Sequence, residues 1–330
     1  MTPKQRQPRR AGSRRRTTAA VEPPAAVLPV RSWLFVPGDS ERKQEKALGS
    51  AADAVILDLE DSVALAELPA ARARVASLLR SRRPPGGPQL WVRPNAPASG
   101  RLREDLEAIF AGGAPAGLVL PKVAAAEEII AVARRLSALE ARAGARTGGT
   151  RLLIIATETP AAVLSLPEYP AVLARVPGVR QRIAGLTWGA EDLSATLGAL
   201  AQRDNTGALT FTFQLARTHC LLAASALGAQ AVDGVCTDFR DPARLQQELD
   251  AARRDGFSGK LAIHPDQIAA INAAFAPTDA EREHAQRVVA AFATAPAAGV
   301  VSLDGRMIDR PHLLQAQRIL AVAQRDRGGA

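Results

Sequence analysis

Eight short apolar segments recur along the chain, and they constrain its fold more than any other feature. They cover residues 32–36, 54–57, 90–92, 118–120, 152–156, 183–188, 232–235 and 261–263. Several are continuous apolar runs rather than alternating ones, as strands buried on both faces of a parallel sheet require. Stretches with helical spacing lie between them, at 72–79, 105–110, 127–139, 216–227 and 243–254. Strand and helix in eightfold alternation predict an α/β fold, the (β/α)8 TIM barrel. A doubly wound sheet usually places a Gly-rich turn after its first strand. Here that turn reads Val36-Pro37-Gly38-Asp39-Ser40, with a single glycine, so the barrel is preferred.

The 330 residues divide into a tail (1–28), a barrel (29–275) and a C-terminal extension (276–330). Within the barrel, residues 80–88 and 141–150 read as Pro-, Gly- and Arg-rich loops. In the extension, Asp279–Ala293 has helical spacing with Thr278 as N-cap. Asp304-Gly305 between residues 300–303 and 306–308 signals a hairpin, and a last helix is expected over about 311–324. Val288, Val289, Phe292, Val300, Leu313, Leu314 and Ile319 need a surface to cover, on this barrel or a neighbour's.

Charge locates the tail. The net charge is +9, but residues 1–22 hold seven basic side chains against Glu22, leaving +3 for the other 308 residues. The tail has no apolar period and is expected to be disordered: a solvated extension, a targeting segment or a polyanion-binding arm. No apolar stretch of ~7–15 residues follows its arginines, so it does not read as a secretory signal. Nucleic acid is not an expected partner of the barrel. The longest uncharged run, 288–303, is 16 residues with Pro296 and Gly299 inside, short of the ~20 needed to span a membrane. Two cysteines, Cys220 and Cys236, read as small buried hydrophobes in a reducing, cytoplasmic setting.

Barrel chemistry sits at the C-terminal strand ends. There the sequence places Asp58-Leu59-Glu60-Asp61, Arg93-Pro94-Asn95, Pro121-Lys122, Glu158-Thr159-Pro160, Gly189-Ala190-Glu191-Asp192 and His264-Pro265. So many carboxylates at one mouth repel each other unless a cation sits among them, and a hard site for Mg2+ is the economical answer. Four histidines without ligand spacing argue against zinc or iron. Glu158 and Asp192 are the metal pair, or else acids at helix N-termini. Thr159 caps the next helix with Pro160 at its first position, which fixes the chain after Glu158. Arg93 offers a planar fork for a substrate carboxylate, or a salt bridge to Asp58 or Glu60. Glu60 and Asp61 read as supports that hold metal-bound water or Arg93. Lys122, close to so many acids, reads as protonated and structural rather than as a Schiff-base nucleophile.

These residues are recognisable. Arg31-Ser32-Trp33-Leu34-Phe35-Val36-Pro37-Gly38 resembles the opening of the citrate lyase β-subunit-like branch of the HpcH/HpaI aldolase superfamily. So do Asp58-Leu59-Glu60-Asp61-Ser62-Val63, Val92-Arg93-Pro94-Asn95, Leu120-Pro121-Lys122-Val123, Gly189-Ala190-Glu191-Asp192-Leu193, and Gly256-Phe257-Ser258-Gly259-Lys260 with Ile263-His264-Pro265. The resemblance implies a TIM barrel in which Glu158 and Asp192 bind Mg2+ and a 2-oxo acid, with Arg93 on the substrate oxygens. It places Phe35, Arg42 and Lys46 along a coenzyme A path and counts Ile263 and His264 among the substrate-binding residues. Arg42 and Lys46 share one helix face, turned to phosphates or to solvent. Met307-Ile308-Asp309-Arg310-Pro311 resembles the segment that covers a neighbouring subunit's site, with Asp309 as an acid–base residue. A homotrimer or homohexamer is therefore implied. Pro160 stands where many relatives carry alanine, which points to a different acyl pocket.

The expected function is Mg2+-dependent, reversible cleavage of a 3-hydroxyacyl-CoA of the malyl, citramalyl or citryl type to an acyl-CoA and a 2-oxo acid. An acyl-CoA thioesterase on the same scaffold is the alternative, and a barrel aldolase acting on free acids is another. A polyanion-binding protein acting through the tail is the reading from a different class.

Overall fold

The computed structural model describes residues 29–81, 86–176, 178–295 and 298–328. The basic tail expected over 1–28 lies outside the described residues.

Eight parallel strands close a barrel: β1 (Ser32–Pro37), β2 (Ala54–Asp58), β3 (Gln89–Arg93), β4 (Gly117–Leu120), β5 (Arg151–Ile155), β6 (Ile183–Thr187), β7 (Gln230–Asp233) and β8 (Gly259–Ala262). Each pairs with the next, and β8 returns to β1 through Trp33↔Leu261. The apolar runs are continuous because both strand faces are covered. Trp33, Ile56, Trp91, Val119, Leu153, Ile155, Val232 and Leu261 fill the barrel interior. The alternate residues, among them Leu34, Val55, Leu57, Leu118 and Leu152, pack outward on the helices. Trp33 and Trp91 meet edge to face at 4.8 Å. Gly117 makes room for the second indole, since a Cβ there would lie 2.2 Å from the Trp91 ring.

The eight strands lie where the apolar runs predict, with end shifts of a few residues: Ala156, Trp188, Val235 and Ile263 fall just past their strands, at the mouth. Helix ends differ more. The helix expected from residue 216 begins at Phe211, and the one expected to stop at 139 runs to Arg142, into the expected loop. Pro160–Ser165, Tyr169–Ala174 and Ile268–Phe275 are six to eight residues long, too short to print a 3.6-residue period. Residues 82–85 of the other expected loop lie outside the described residues.

The extension folds as expected locally but covers itself. Thr278 Oγ1 accepts from the Glu281 backbone N–H at 3.2 Å and Glu281 Oε2 accepts from the Thr278 N–H at 2.8 Å, a reciprocal cap on the helix Asp279–Ala293. Strands β9 (Val300–Leu303) and β10 (Arg306–Asp309) join through Asp304 and Gly305, both at positive φ, as a two-residue hairpin turn requires. The last helix spans Arg310–Gly328. Ala285, Val288, Phe292, Ile308 and Ala316 form a small core of their own, joined by Val289, Leu313 and Ile319. Most of the apolar positions expected to need a barrel surface are thus buried on one another. Val300 and Leu314 stay about half exposed, and Met307 more so. Among the described residues no helix is long and apolar enough to cross a membrane.

Candidate active site

Register builds the first part of the site. β2 and β3 pair in parallel with Asp58 beside Arg93. The arginine therefore meets a buried carboxylate squarely: Nε donates to Asp58 Oδ1 at 2.6 Å and Nη2 to Oδ2 at 2.7 Å. Asp58 also accepts from the backbone N–H groups of Glu60 (3.0 Å) and Ser62 (3.1 Å). Burial alone would raise the Asp58 carboxyl, but the guanidinium and these donors outweigh it and hold it below the usual range. The fork that sequence reasoning reserved for a substrate carboxylate is therefore engaged by Asp58, the salt-bridge alternative. Arg93 Nη1 points onward, 3.1 Å from Glu60 Oε2, and the guanidinium lies 4.9 Å from the centre of the Phe35 ring.

The second part centres on Lys122, one residue past Pro121 at the top of β4. Its φ is +50°, in the left-handed region that costs a non-glycine residue ~1–2 kcal/mol. Its backbone N–H makes a short hydrogen bond to Glu158 Oε2. Its ammonium lies 2.7 Å from Glu60 Oε1, 2.9 and 3.0 Å from the two Asp61 oxygens, and 3.4 Å from Asp192 Oδ1. Surrounded this way, Lys122 is held above its usual range despite partial burial, so it is a cation and not a nucleophile.

Glu158 follows β5 and is 2 % exposed. Thr159 caps the following helix by accepting from Ala162 N–H at 3.1 Å, with Pro160 in its first turn, as expected. Asp192 lies in the first turn of the helix Ala190–Leu197. Gly189 lets that helix close on Glu158, since a Cβ there would fall 2.7 Å from Glu158 Cγ. Burial, reinforced by Asp192 and Glu60, pushes the Glu158 carboxyl well above the usual range. Burial likewise lifts Glu60 to about 7. Both shifts come first from burial, with neighbouring carboxylates adding to it.

These residues fit a hard divalent cation. The donors are all oxygens, Asp192 opens to the mouth, and buried Glu60 Oε2 has no hydrogen bond although Arg93 is near. Among the described residues no set of three or more His, Cys, Asp or Glu converges as a ready-made metal cage. Two carboxylates completed by water and substrate oxygens is the arrangement Mg2+ tolerates.

A cavity of about 800 Å3 opens beside this cluster and holds Phe35, Arg42, Lys46, Arg93, Ile263 and His264, six of the seven side chains assigned to substrate binding from sequence; the seventh, Glu158, is not on its wall. Arg42, Lys43 and Lys46 come from the helix Glu41–Leu48 and have no ion-pair partner among the described residues. His264 stacks on Phe239 at 4.7 Å, and its Nδ1 accepts from the Asp266 N–H at 3.3 Å. Sequence reasoning missed Lys43, Ser62 and Val235 on the cavity wall. Lys43 was within reach, one residue from Arg42 on the same helix. Asp309 is not on the wall of this chain's cavity. It sits at the end of β10, bonded to the His312 ring, which holds its carboxyl below the usual range.

Residues 31–265 match the HpcH/HpaI aldolase/citrate lyase family, a span that holds both halves of the site. The chain belongs to that family. The family's curated relatives include a (3S)-malyl-CoA thioesterase of Cereibacter sphaeroides, 36% identical over 298 residues, 90% of this chain and 95% of that protein. Human mitochondrial citramalyl-CoA lyase is 33% identical over 300 residues, 90% of this chain and 86% of that one. Among solved family structures, CitE from Mycobacterium tuberculosis with magnesium, acetoacetate and coenzyme A has a TM-score of 0.70 and 34% identity, covering 90% of this chain and 99% of that chain. The family, the (β/α)8 barrel and an enzyme of lyase type are what the sequence motifs led one to expect.

Proposed function

We propose that this protein is a Mg2+-dependent CoA-ester lyase that reversibly cleaves a 3-hydroxyacyl-CoA of the malyl, citramalyl or citryl type into an acyl-CoA and a 2-oxo acid. One observation carries the reading: Arg93 both lines the cavity and contacts the carboxylate cluster. A thioester entering past Arg42 and Lys46 brings its phosphates to unpaired cations and its acyl end to Arg93. The magnesium, acetoacetate and coenzyme A named for the CitE structure are the same ligand classes.

Glu158 and Asp192 would hold Mg2+, which when bound stabilises negative charge on the oxygens that become the 2-oxo acid. Arg93, fixed by Asp58, aims Nη1 at the same region and adds a preorganised donor. Glu60 and Asp61 hold Arg93 and Lys122 in place. Asp309, carried to the mouth of a neighbouring barrel in a homotrimer or homohexamer, takes the 3-hydroxyl proton as the carbon–carbon bond breaks and returns it to the acyl-CoA carbon. His312 keeps that carboxyl ionised and oriented. Two free, buried cysteines accord with a reducing compartment, the cytoplasm.

The thioesterase reading is favoured by the similarity to the malyl-CoA thioesterase. On this scaffold it directs water at the thioester carbonyl and releases free CoA. The test is a panel of hydroxyacyl-CoA esters incubated with Mg2+, with products identified by mass spectrometry. The lyase reading expects an acyl-CoA two or more carbons long plus a 2-oxo acid from at least one ester. Free CoA with the intact hydroxy acid from every reactive ester would replace it with the thioesterase. Activity confined to polyanion binding and lost on deleting residues 1–28 would replace both.

A further inference from the structure

Lys122 touches every carboxylate of the cluster that Arg93 leaves unpaired. Its side chain binds Glu60 and Asp61 from the top of β2 and lies 3.4 Å from Asp192. Its main chain holds Glu158. The left-handed φ of +50° allows one residue to do both, with its N–H turned to Glu158 while its side chain crosses the mouth. Asp58, Glu60, Asp61, Glu158 and Asp192 offer up to five negative charges; Arg93 and Lys122 return two. Of these two cations, Lys122 is the one that reaches Asp192 and Glu158 as well as Glu60 and Asp61.

We propose that Lys122 is the internal counter-ion of this cluster and competes with the metal for Asp192. The inference rests on the Mg2+ reading above and concerns what the chain's own lysine does toward that ion. In the metal-free protein Lys122 bridges β2, β4 and the Asp192 helix. With a doubly charged ion held by Glu158 and Asp192, Lys122 would give up Asp192 and stay on Glu60 and Asp61. Metal affinity is thereby held down, and the acids are kept together against their mutual repulsion. Lys122 is in this sense a positioning residue.

Direct Mn2+ and Mg2+ titration without substrate tests it, by electron paramagnetic resonance of free Mn2+ and by calorimetry for Mg2+. Lys122→Gln should bind the ion about tenfold more tightly or better, because a neighbouring like charge is gone. Its metal-free melting temperature should fall, and added metal should restore it. Lys122→Arg keeps the charge and should stay near wild type in both respects. Unchanged or weaker binding by Lys122→Gln, with wild type still binding, would overturn the counter-ion role and leave the metal site standing. No binding by any of the three proteins would overturn both. If Lys122→Gln does not fold, the wild type supplies the answer through its 13Cε-lysine signals. The Lys122 signal, assigned by its absence in Lys122→Arg, should move on adding Mg2+ and stay put in Asp192→Ala; a signal indifferent to Mg2+ in a metal-binding wild type would overturn the role.

Discussion

Replacing Arg93 by lysine keeps the charge and removes the geometry. The guanidinium's three closest contacts go to two carboxylates: Nε and Nη2 on Asp58 at 2.6 and 2.7 Å, and Nη1 near Glu60 at 3.1 Å, with Asp61 farther off at 3.8 Å. One ammonium cannot serve both acids from the same stem. Asp58 is 1 % exposed and loses a charge-assisted bond without gaining water. At roughly 1.5–3 kcal/mol for such a bond, and with Glu60 also deprived, the loss is about 2–4 kcal/mol of stability. That should lower the melting temperature by roughly 4–10 °C. The donor aimed at the substrate oxygens goes as well, a loss of about 100-fold or more in kcat. Thermal melts and turnover of the best ester with saturating Mg2+ read the two effects separately. A lowered melting temperature with near-normal kcat would make Arg93 a strut for Asp58 and nothing more. Near-normal values of both would refute the geometry.

Other consequences follow from single contacts. Glu158→Ala and Asp192→Ala should each abolish Mg2+-dependent turnover with far-ultraviolet circular dichroism unchanged, and Gly189→Ala, by pushing on Glu158 Cγ at 2.7 Å, should weaken Mg2+ binding measured by calorimetry. Glu140, fully buried against Arg182 (2.7 and 2.8 Å) and two backbone N–H groups, is held at about 2, because these donors outweigh its burial. Its contribution, about 3 kcal/mol, is complete above its ordinary value of 4.5 and lost as pH falls toward 2, so urea melts should weaken over that window and do so less in Glu140→Gln. Asp309→Ala and Glu158→Ala, each nearly inactive alone, should regain part of the activity when co-expressed; none in proven mixed oligomers would mean that Asp309 serves its own barrel or no site at all.

The barrel was legible because strands buried on both faces leave unbroken apolar runs, as at residues 54–57, where every side chain is fully covered. Arg93, Ile263 and His264 were legible because they sit in motifs at strand ends, which the fold gathers at one mouth; Arg42 and Lys46, on the helix Glu41–Leu48, came from the family resemblance. What the sequence concealed depends on geometry that neighbours impose. The choice between substrate and Asp58 for the Arg93 fork is settled by register, which pairs the two residues across β2 and β3. The reach of Lys122 to Asp192 depends on a left-handed backbone that no residue pattern announces. The self-packing of the extension was missed for a similar reason. The spacing of Val288 and Phe292 shows an apolar face, but only the hairpin's return places Ile308 and Ala316 against it.

Lyase and thioesterase differ in whether a carbon–carbon bond breaks, and the ratio of 2-oxo acid to free thiol separates them. With the most reactive hydroxyacyl-CoA ester and Mg2+, both products are followed in one sample, the 2-oxo acid by a coupled dehydrogenase and the thiol by a disulfide reagent. A lyase gives 2-oxo acid equal to the ester consumed, little free thiol at early times, and no 2-oxo acid in chelator or in Glu158→Ala. Thiol released one for one with the ester, without 2-oxo acid, would contradict the lyase reading.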